Sequence, residues 1–195
     1  MALKRWKILS SKRENTTGIL GVRHDRVVSP RTGCEHDVYV IEFPAWVNVI
    51  PVTARKEVVL IKQYRHGVRE ITLEIPGGVI EHGDTPQEAA YRELVEETGY
   101  VARSIVPLGY VYPNPAIQNN RCYTYIAWDV VRDREPNLDE MEDIEVLVRP
   151  LSDIPRLIAQ GDIMHALMVA AFCRFFFRYP ELLGSGGNVW PKLRR

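Results

Sequence analysis

Four charged residues, Arg92, Glu93, Glu96 and Glu97, crowd into one short stretch of the chain. On a helix, Glu93 and Glu97 lie one turn apart on the same face, with Glu96 beside them. Carboxylates placed this way repel each other. A surface helix gains nothing from the arrangement unless a cation sits among them. Hard divalent ions such as magnesium take oxygen ligands of this kind, usually together with substrate phosphates. The plainer reading is a solvated helix held by i,i+4 ion pairs such as Glu88–Arg92.

The elements that must position these residues are well marked. Thr85-Pro86-Gln87-Glu88 reads as a capping box, with Thr85 as N-cap, Pro86 at the first helical position and Glu88 reaching back. Ala89, Ala90 and Leu94 supply the buried side, with Tyr91 a further candidate for it. Gly99 fits the position just past the C-terminus. A glycine loop precedes the helix. Cap, glycines and charge spacing agree, which favours a rigid cation site over a plain solvated helix.

The stretch from Gly78 to Tyr100 resembles the Nudix hydrolase box. Gly78, Arg92, Glu93, Leu94, Glu96, Glu97 and Gly99 fall in register with that motif. Two positions depart: Asp84 stands where the family has its first glutamate, and Tyr100 at the final aliphatic position. Asp84 keeps the charge on a shorter side chain. That glutamate mostly supports the loop, so the resemblance implies a tolerated change. It also implies an α+β fold, an αβα sandwich with a mixed sheet. Here a small N-terminal antiparallel strand region would be added to it. The expected boundaries are 1–44 for that region, 45–178 for the Nudix domain and 179–195 for a C-terminal tail.

Flanking residues resemble the ADP-ribose pyrophosphatase branch of the family. Gln63, Tyr64, Arg65 and Glu74 match its pattern before the box, and Pro115 matches a proline after it. Asn114-Pro115-Ala116 departs from the branch's usual Ser-Pro-Gly. The resemblance implies substrate contacts from Arg65, Glu74, Tyr64 and Pro115, with Arg65 on the diphosphate or terminal ribose. It implies magnesium, with manganese as a possible substitute, held by Glu93, Glu97, Glu96 and the carbonyl of Gly77. Arg92 would pair with a box glutamate and fix its rotamer. In the acidic loop around Asp139–Asp143, Glu140 would be the general base and Glu142 would approach a metal. Glu96 or Glu97 could serve as the base instead.

The implied reaction is hydrolysis of the pyrophosphate bond of a nucleoside diphosphate sugar, ADP-ribose first, giving AMP and ribose 5-phosphate. Another nucleotide sugar, a dinucleoside polyphosphate, or a catalytically silent nucleotide-binding module are the alternatives. Dimers are usual in the branch, often with exchanged N-terminal strands. The resemblance therefore implies a homodimer in which Tyr39 or Phe43 could face the partner's substrate.

Composition fits an ordinary enzyme. The chain has 195 residues, 46% of them hydrophobic, enough for one full core. Its 25 basic and 25 acidic residues balance, which argues against a nucleic-acid binder. Cys34, Cys122 and Cys173 lack metal-ligand spacing and read as free thiols of a reducing cytoplasm. The five histidines are scattered and read as structural or exposed. No signal peptide or membrane span is expected.

Strands are expected over Asp37–Phe43, Trp46–Thr53, Glu57–Tyr64, Ile71–Ile75, Arg103–Tyr112, Cys122–Val131 and Glu145–Arg149. In the first of these, Val38 and Val40 should face the core, with Ile41 a further candidate. Ala54-Arg55-Lys56 should turn the hairpin between the second and third. Helices are expected over Leu151–Ala159 and Ile163–Arg178. Phe172, Phe175, Phe176 and Phe177 form an apolar cluster, read as core first and as a dimer interface second. Trp46 is read as packing rather than base stacking.

Overall fold

A computed structural model describes residues 3–15 and 20–183. The expected tail lies outside the described residues from position 184 onward. The chain divides into two compact units. The first takes residues up to Ala45 together with Tyr112–Arg121, and the second takes the remaining described residues.

The first unit is built on an antiparallel sheet of three strands, β1 (Lys7–Asn15), β2 (Gly21–Val28) and β3 (Glu35–Glu42), in that order. Its charged residues cross-link it. Arg23 binds the buried Asp25 and, through Nη1, Glu42 at 2.7 Å. Val38, expected in the core, is exposed. Along β3 both faces are exposed from Glu35 to Tyr39, so Val38 is exposed together with its neighbour Tyr39.

The second unit centres on a mixed sheet. Its strands are β4 (Trp46–Val52), β5 (Glu57–Arg65), β6 (Glu70–Glu74), β7 (Gly77–Val79), β9 (Ser104–Val111), β10 (Cys122–Trp128) and β12 (Ile144–Pro150). The order is β12-β5-β4-β10-β9, with β6 added on β5 and β7 on β4. β10 runs parallel to β4 and the other pairs are antiparallel. Two short strands, β8 (Tyr100–Val101) and β11 (Val131–Arg132), pair separately.

Both faces of this sheet are covered. Helix α1 (Pro86–Thr98) lays Ala89, Ala90 and Leu94 on Val47, Val49, Val59 and Ala127. On the opposite face, α2 (Ile154–Gln160) and α3 (Ala166–Arg178) lay Leu157, Phe172 and Phe175 on Ile50, Val52, Val58, Leu60 and Ile126. Strand alternation accounts for the split: along β4, Val47 and Val49 face α1, while Ile50 and Val52 face α3. Central strands buried on both faces read as near-continuous apolar runs, as β4 does apart from Asn48 and β5 does over Val58–Ile61. The result is the expected αβα sandwich.

Several local readings shift. The second expected helix starts at Ala166 rather than Ile163, and the first begins with a 3-10 turn at Leu151–Asp153. Phe172, Phe175 and Phe176 are buried, but Phe177 points out at 79% exposure because one helical turn cannot face inward all round. Tyr91 is likewise exposed. No helix among the described residues is long and apolar enough to cross a membrane.

Candidate active site

The acidic helix stands where its cap puts it. The Thr85 hydroxyl accepts the Glu88 N–H, and the Glu88 carboxylate accepts the Thr85 N–H at 2.9 Å. At the other end Gly99 takes φ 70°, a left-handed cap that strongly favours glycine. Between these stops, Glu93 and Glu97 turn inward toward β7 and are 7% and 3% exposed.

Strand β7 explains the two glycines before the helix. It was expected as loop, because a Gly-Gly pair carries no side-chain alternation to read. Gly77 lies so close to Val47 and Asn48 of β4 that a side chain there would overlap backbone. The Gly77 N–H donates to Glu97 Oε2 at 2.8 Å. Gly78 carries the Glu93 carboxylate directly against its Cα: a Cβ at this position would lie 2.5 Å from Glu93 Oε1. Each glycine thus seats one of the two inner glutamates.

Arg92 ties the outer carboxylates to the inner Glu93. Its Nη1 reaches Glu96 Oε2 at 2.9 Å and Glu93 Oε1 at 3.1 Å. Its Nε lies 3.4 Å from Asp84, the aspartate at the departing box position. The shorter side chain still reaches the arginine, and Glu88 turns to its own cap instead of pairing with Arg92.

Arg65 and Glu74, expected as two substrate contacts, bind each other. Arg65 Nε and Nη2 reach the two Glu74 oxygens at 2.8 and 2.7 Å. Glu74 is 1% exposed and also accepts from Thr72 and His165. Burial works against its charge, but Arg65, His165 and Thr72 outweigh burial and hold the carboxyl far below its usual range. Glu74 therefore has no open face for substrate. Tyr64 faces away for a simpler reason: alternation along β5 puts Gln63 and Arg65 on one side and Tyr64 on the other. Pro115 sits exposed in the first unit, beside Asn114, whose carbonyl accepts two backbone N–H groups.

The box side chains and Arg65 open on a cleft of about 280 Å³, lined by Gln63, Arg65, Gly77, Gly78, Val79, Glu81, Arg92, Glu93, Glu96, Glu97, Asn137, Asp139 and Glu142. The acidic loop enters it in part. Asn137 is tied by its N–H to the Glu96 carbonyl at 2.8 Å, and Asp133 and Arg134 are tied to Gly99. Beyond these ties a turn closes, with the Asp139 N–H on Glu142 Oε2 at 3.0 Å. Asp139 and Glu142 line the cleft, whereas Glu140 stands exposed at the turn and does not. Asn137, Asp139 and Glu81 carried no motif signal, since loop residues approach a site through the fold and not through spacing.

Six carboxylates against two arginines leave the cleft strongly acidic. Burial, then the charges of Glu96 and Glu142, push Glu93 up to about 7 despite Arg92. Holding it ionised there costs about 3 kcal/mol relative to water. Burial also pushes Glu97 well above its usual range, against the pull of the Gly77 N–H, and the charge of Glu93 adds to the rise. Two buried carboxylates that resist ionising beside each other fit a hard divalent cation, which favours both charges at once. Among the described residues no three acidic or histidine side chains already converge as a ligand shell. Cys122, by contrast, is buried and pushed up to about 12, an inert thiol.

Comparisons with known proteins point to a family. A family model described as the NUDIX domain matches residues 43–172. The ADP-ribose pyrophosphatase of Bacillus subtilis (strain 168) is 30% identical over 128 residues, 65% of this chain and 69% of that protein. The ADP-sugar pyrophosphatase of Mus musculus is 34% identical over 131 residues, 61% of this chain and 59% of that protein. A crystal structure of an ADP compounds hydrolase shares the fold, with a TM-score of 0.80 at 22% identity, over 93% of this chain and 97% of that one. By the span of the domain match and the box that lines its cleft, this chain belongs to the Nudix family.

Proposed function

We propose that this Nudix pyrophosphohydrolase cleaves the diphosphate of nucleoside diphosphate sugars, ADP-ribose foremost, in a reaction that depends on magnesium. The observation that carries the reading is the pair of buried, mutually repelling carboxylates, Glu93 and Glu97, opening on a cleft that also holds Arg65. The names of the relatives above support the ADP-sugar class.

In this reading Arg65 holds the diphosphate through the N–H groups that Glu74 leaves over. Glu93 and Glu97, with Glu96 and the Gly77 carbonyl, would hold the cation, magnesium or manganese in its place. Held there, it would supply charge neutralisation for the diphosphate oxygens and a lowered pKa for water. Arg92 keeps Glu96 and Glu93 aimed. The proton acceptor is Glu142 rather than Glu140, because Glu142 lines the cleft and Glu140 does not. Water attacks one phosphorus in line, its proton passes to the carboxylate, and the bridging P–O bond breaks to release AMP and ribose 5-phosphate. Exposed Val38 and Tyr39 on β3 support a homodimer through the first unit.

The test is product release from ADP-ribose, ADP-glucose, GDP-mannose and diadenosine polyphosphates, with magnesium and with EDTA. Magnesium-dependent release of AMP, fastest from ADP-ribose, is expected. Binding without turnover of any member would replace the enzyme by a nucleotide-binding module. Glu140→Gln and Glu142→Gln, compared on the best substrate, separate the two candidate bases.

A further inference from the structure

Both oxygens of the Glu74 carboxylate are full. Oε1 accepts from Arg65 Nε at 2.8 Å and Thr72 Oγ1 at 2.6 Å. Oε2 accepts from Arg65 Nη2 at 2.7 Å and meets His165 Nδ1 at 3.0 Å. An ionised carboxylate offers about four lone-pair positions, and all are used here. Arg65 and Thr72 belong to the same β5–β6 hairpin as Glu74. His165 does not. It comes from the start of α3, 91 residues further along the chain.

His165 occupies the N-cap position of α3, yet its side chain makes no capping bond to that helix. The imidazole is turned to Glu74 instead. Because a carboxylate only accepts, Nδ1 carries the proton in this bond. The paired bonds from Arg65 to Glu74 put the guanidinium and the carboxylate in one plane. Whatever fixes the carboxylate plane therefore fixes the guanidinium. Thr72 holds one oxygen from within the hairpin, and His165 holds the other from the helix layer. Three of the five guanidinium N–H groups remain for the cleft that Arg65 lines.

We propose that His165 is a positioning residue for Arg65: by holding Oε2 of Glu74 it sets the plane of the carboxylate–guanidinium pair and so aims Arg65 at the substrate diphosphate. The inference rests on the reading of Arg65 as a diphosphate contact. His165 itself touches no substrate in this account. Its effect passes through two side chains, and it acts on binding more than on the chemical step.

The experiment is steady-state kinetics with ADP-ribose and magnesium on the full chain, for His165→Ser, His165→Asn, Arg65→Lys and the pair His165→Ser with Arg65→Lys. Serine is a good N-cap, so H165S keeps or improves the start of α3 while losing Glu74. Asparagine can place an amide N–H near the position of Nδ1. H165S should raise KM about three- to tenfold with kcat changed less than about twofold. H165N should recover most of the loss. In the R65K background H165S should add little further, because the planar fork it serves is gone. A normal KM in H165S overturns the proposal, as does an H165S effect that is equally large in R65K. A normal KM in R65K overturns the reading of Arg65 instead, and wild-type protein silent toward ADP-ribose overturns the proposed function. If H165S fails to fold, His165→Ala carries the same comparison.

Discussion

Gly78 and Glu97 show how much of the site depends on single atoms. The Glu93 carboxylate rests where a Gly78 side chain would stand. Gly78→Ala should therefore displace Glu93 and lower turnover at least about tenfold, since small misplacements of reacting groups cost that much. Thermal unfolding should show that the variant remains folded, which separates displacement from collapse. Glu97 invites a different measurement. Without a cation its charge is buried beside Glu93 and opposed by burial. Glu97→Gln keeps an oxygen for the Gly77 N–H and removes the charge. Metal-free at pH 8, E97Q should melt about 2–4 °C higher than wild type, a gain of about 1 kcal/mol. At pH 4.5 the two should melt together. A lower Tm for E97Q at pH 8 would mean that the carboxylate stabilises the apo fold, contrary to this account.

Helix α1 carries these residues because its ends are fixed. The capping box should be worth about 1 kcal/mol, so Thr85→Ala should lower the unfolding free energy by that amount, seen as a lower urea midpoint with an unchanged slope. The folded variant should keep its turnover, since the acidic face lies beyond the first turn. This helix was legible in the sequence because Thr85, Pro86, Glu88 and Gly99 act locally, through bonds within a few residues. β7 was not legible. Its two glycines are fixed by close approach to β4, a contact between segments far apart in sequence. The same limit governs Glu74 and Tyr64. Their types matched a substrate-binding pattern, but only strand alternation and burial reveal that one is enclosed and the other turned away. The loop carboxylates follow the same limit: the fold of the Asp139–Glu142 turn, not spacing, leaves Glu142 lining the cleft and Glu140 outside it.

Over the whole molecule, the two kinds of buried carboxylate pull stability in opposite directions with pH. Glu74 is held low, so its contribution is present above about pH 4.5 and is lost as pH falls below that. Glu93 is raised to about 7 and Glu97 is raised as well, so the folded state binds more protons than the unfolded one above pH 4.5. Their contribution is present below that pH and is lost as pH rises through 7. Metal-free protein should melt highest near pH 5 from these groups, and magnesium should raise Tm more at pH 8 than at pH 5. Calorimetry across that range checks both signs. The α+β class was readable from the order of strands and helices, and the sandwich from the resemblance of the box to the Nudix motif. The membership of residues 112–121 in the first unit was not readable, because they join the N-terminal sheet through contacts that no local pattern announces. The most direct measurement is the initial rate of AMP release from ADP-ribose as magnesium is titrated, for wild type and Glu97→Gln. The account predicts a wild-type rate that saturates with magnesium and vanishes in EDTA, and an E97Q rate lower by at least about a hundredfold at every magnesium concentration. Equal rates in the two proteins, or a wild-type rate indifferent to EDTA, would contradict it.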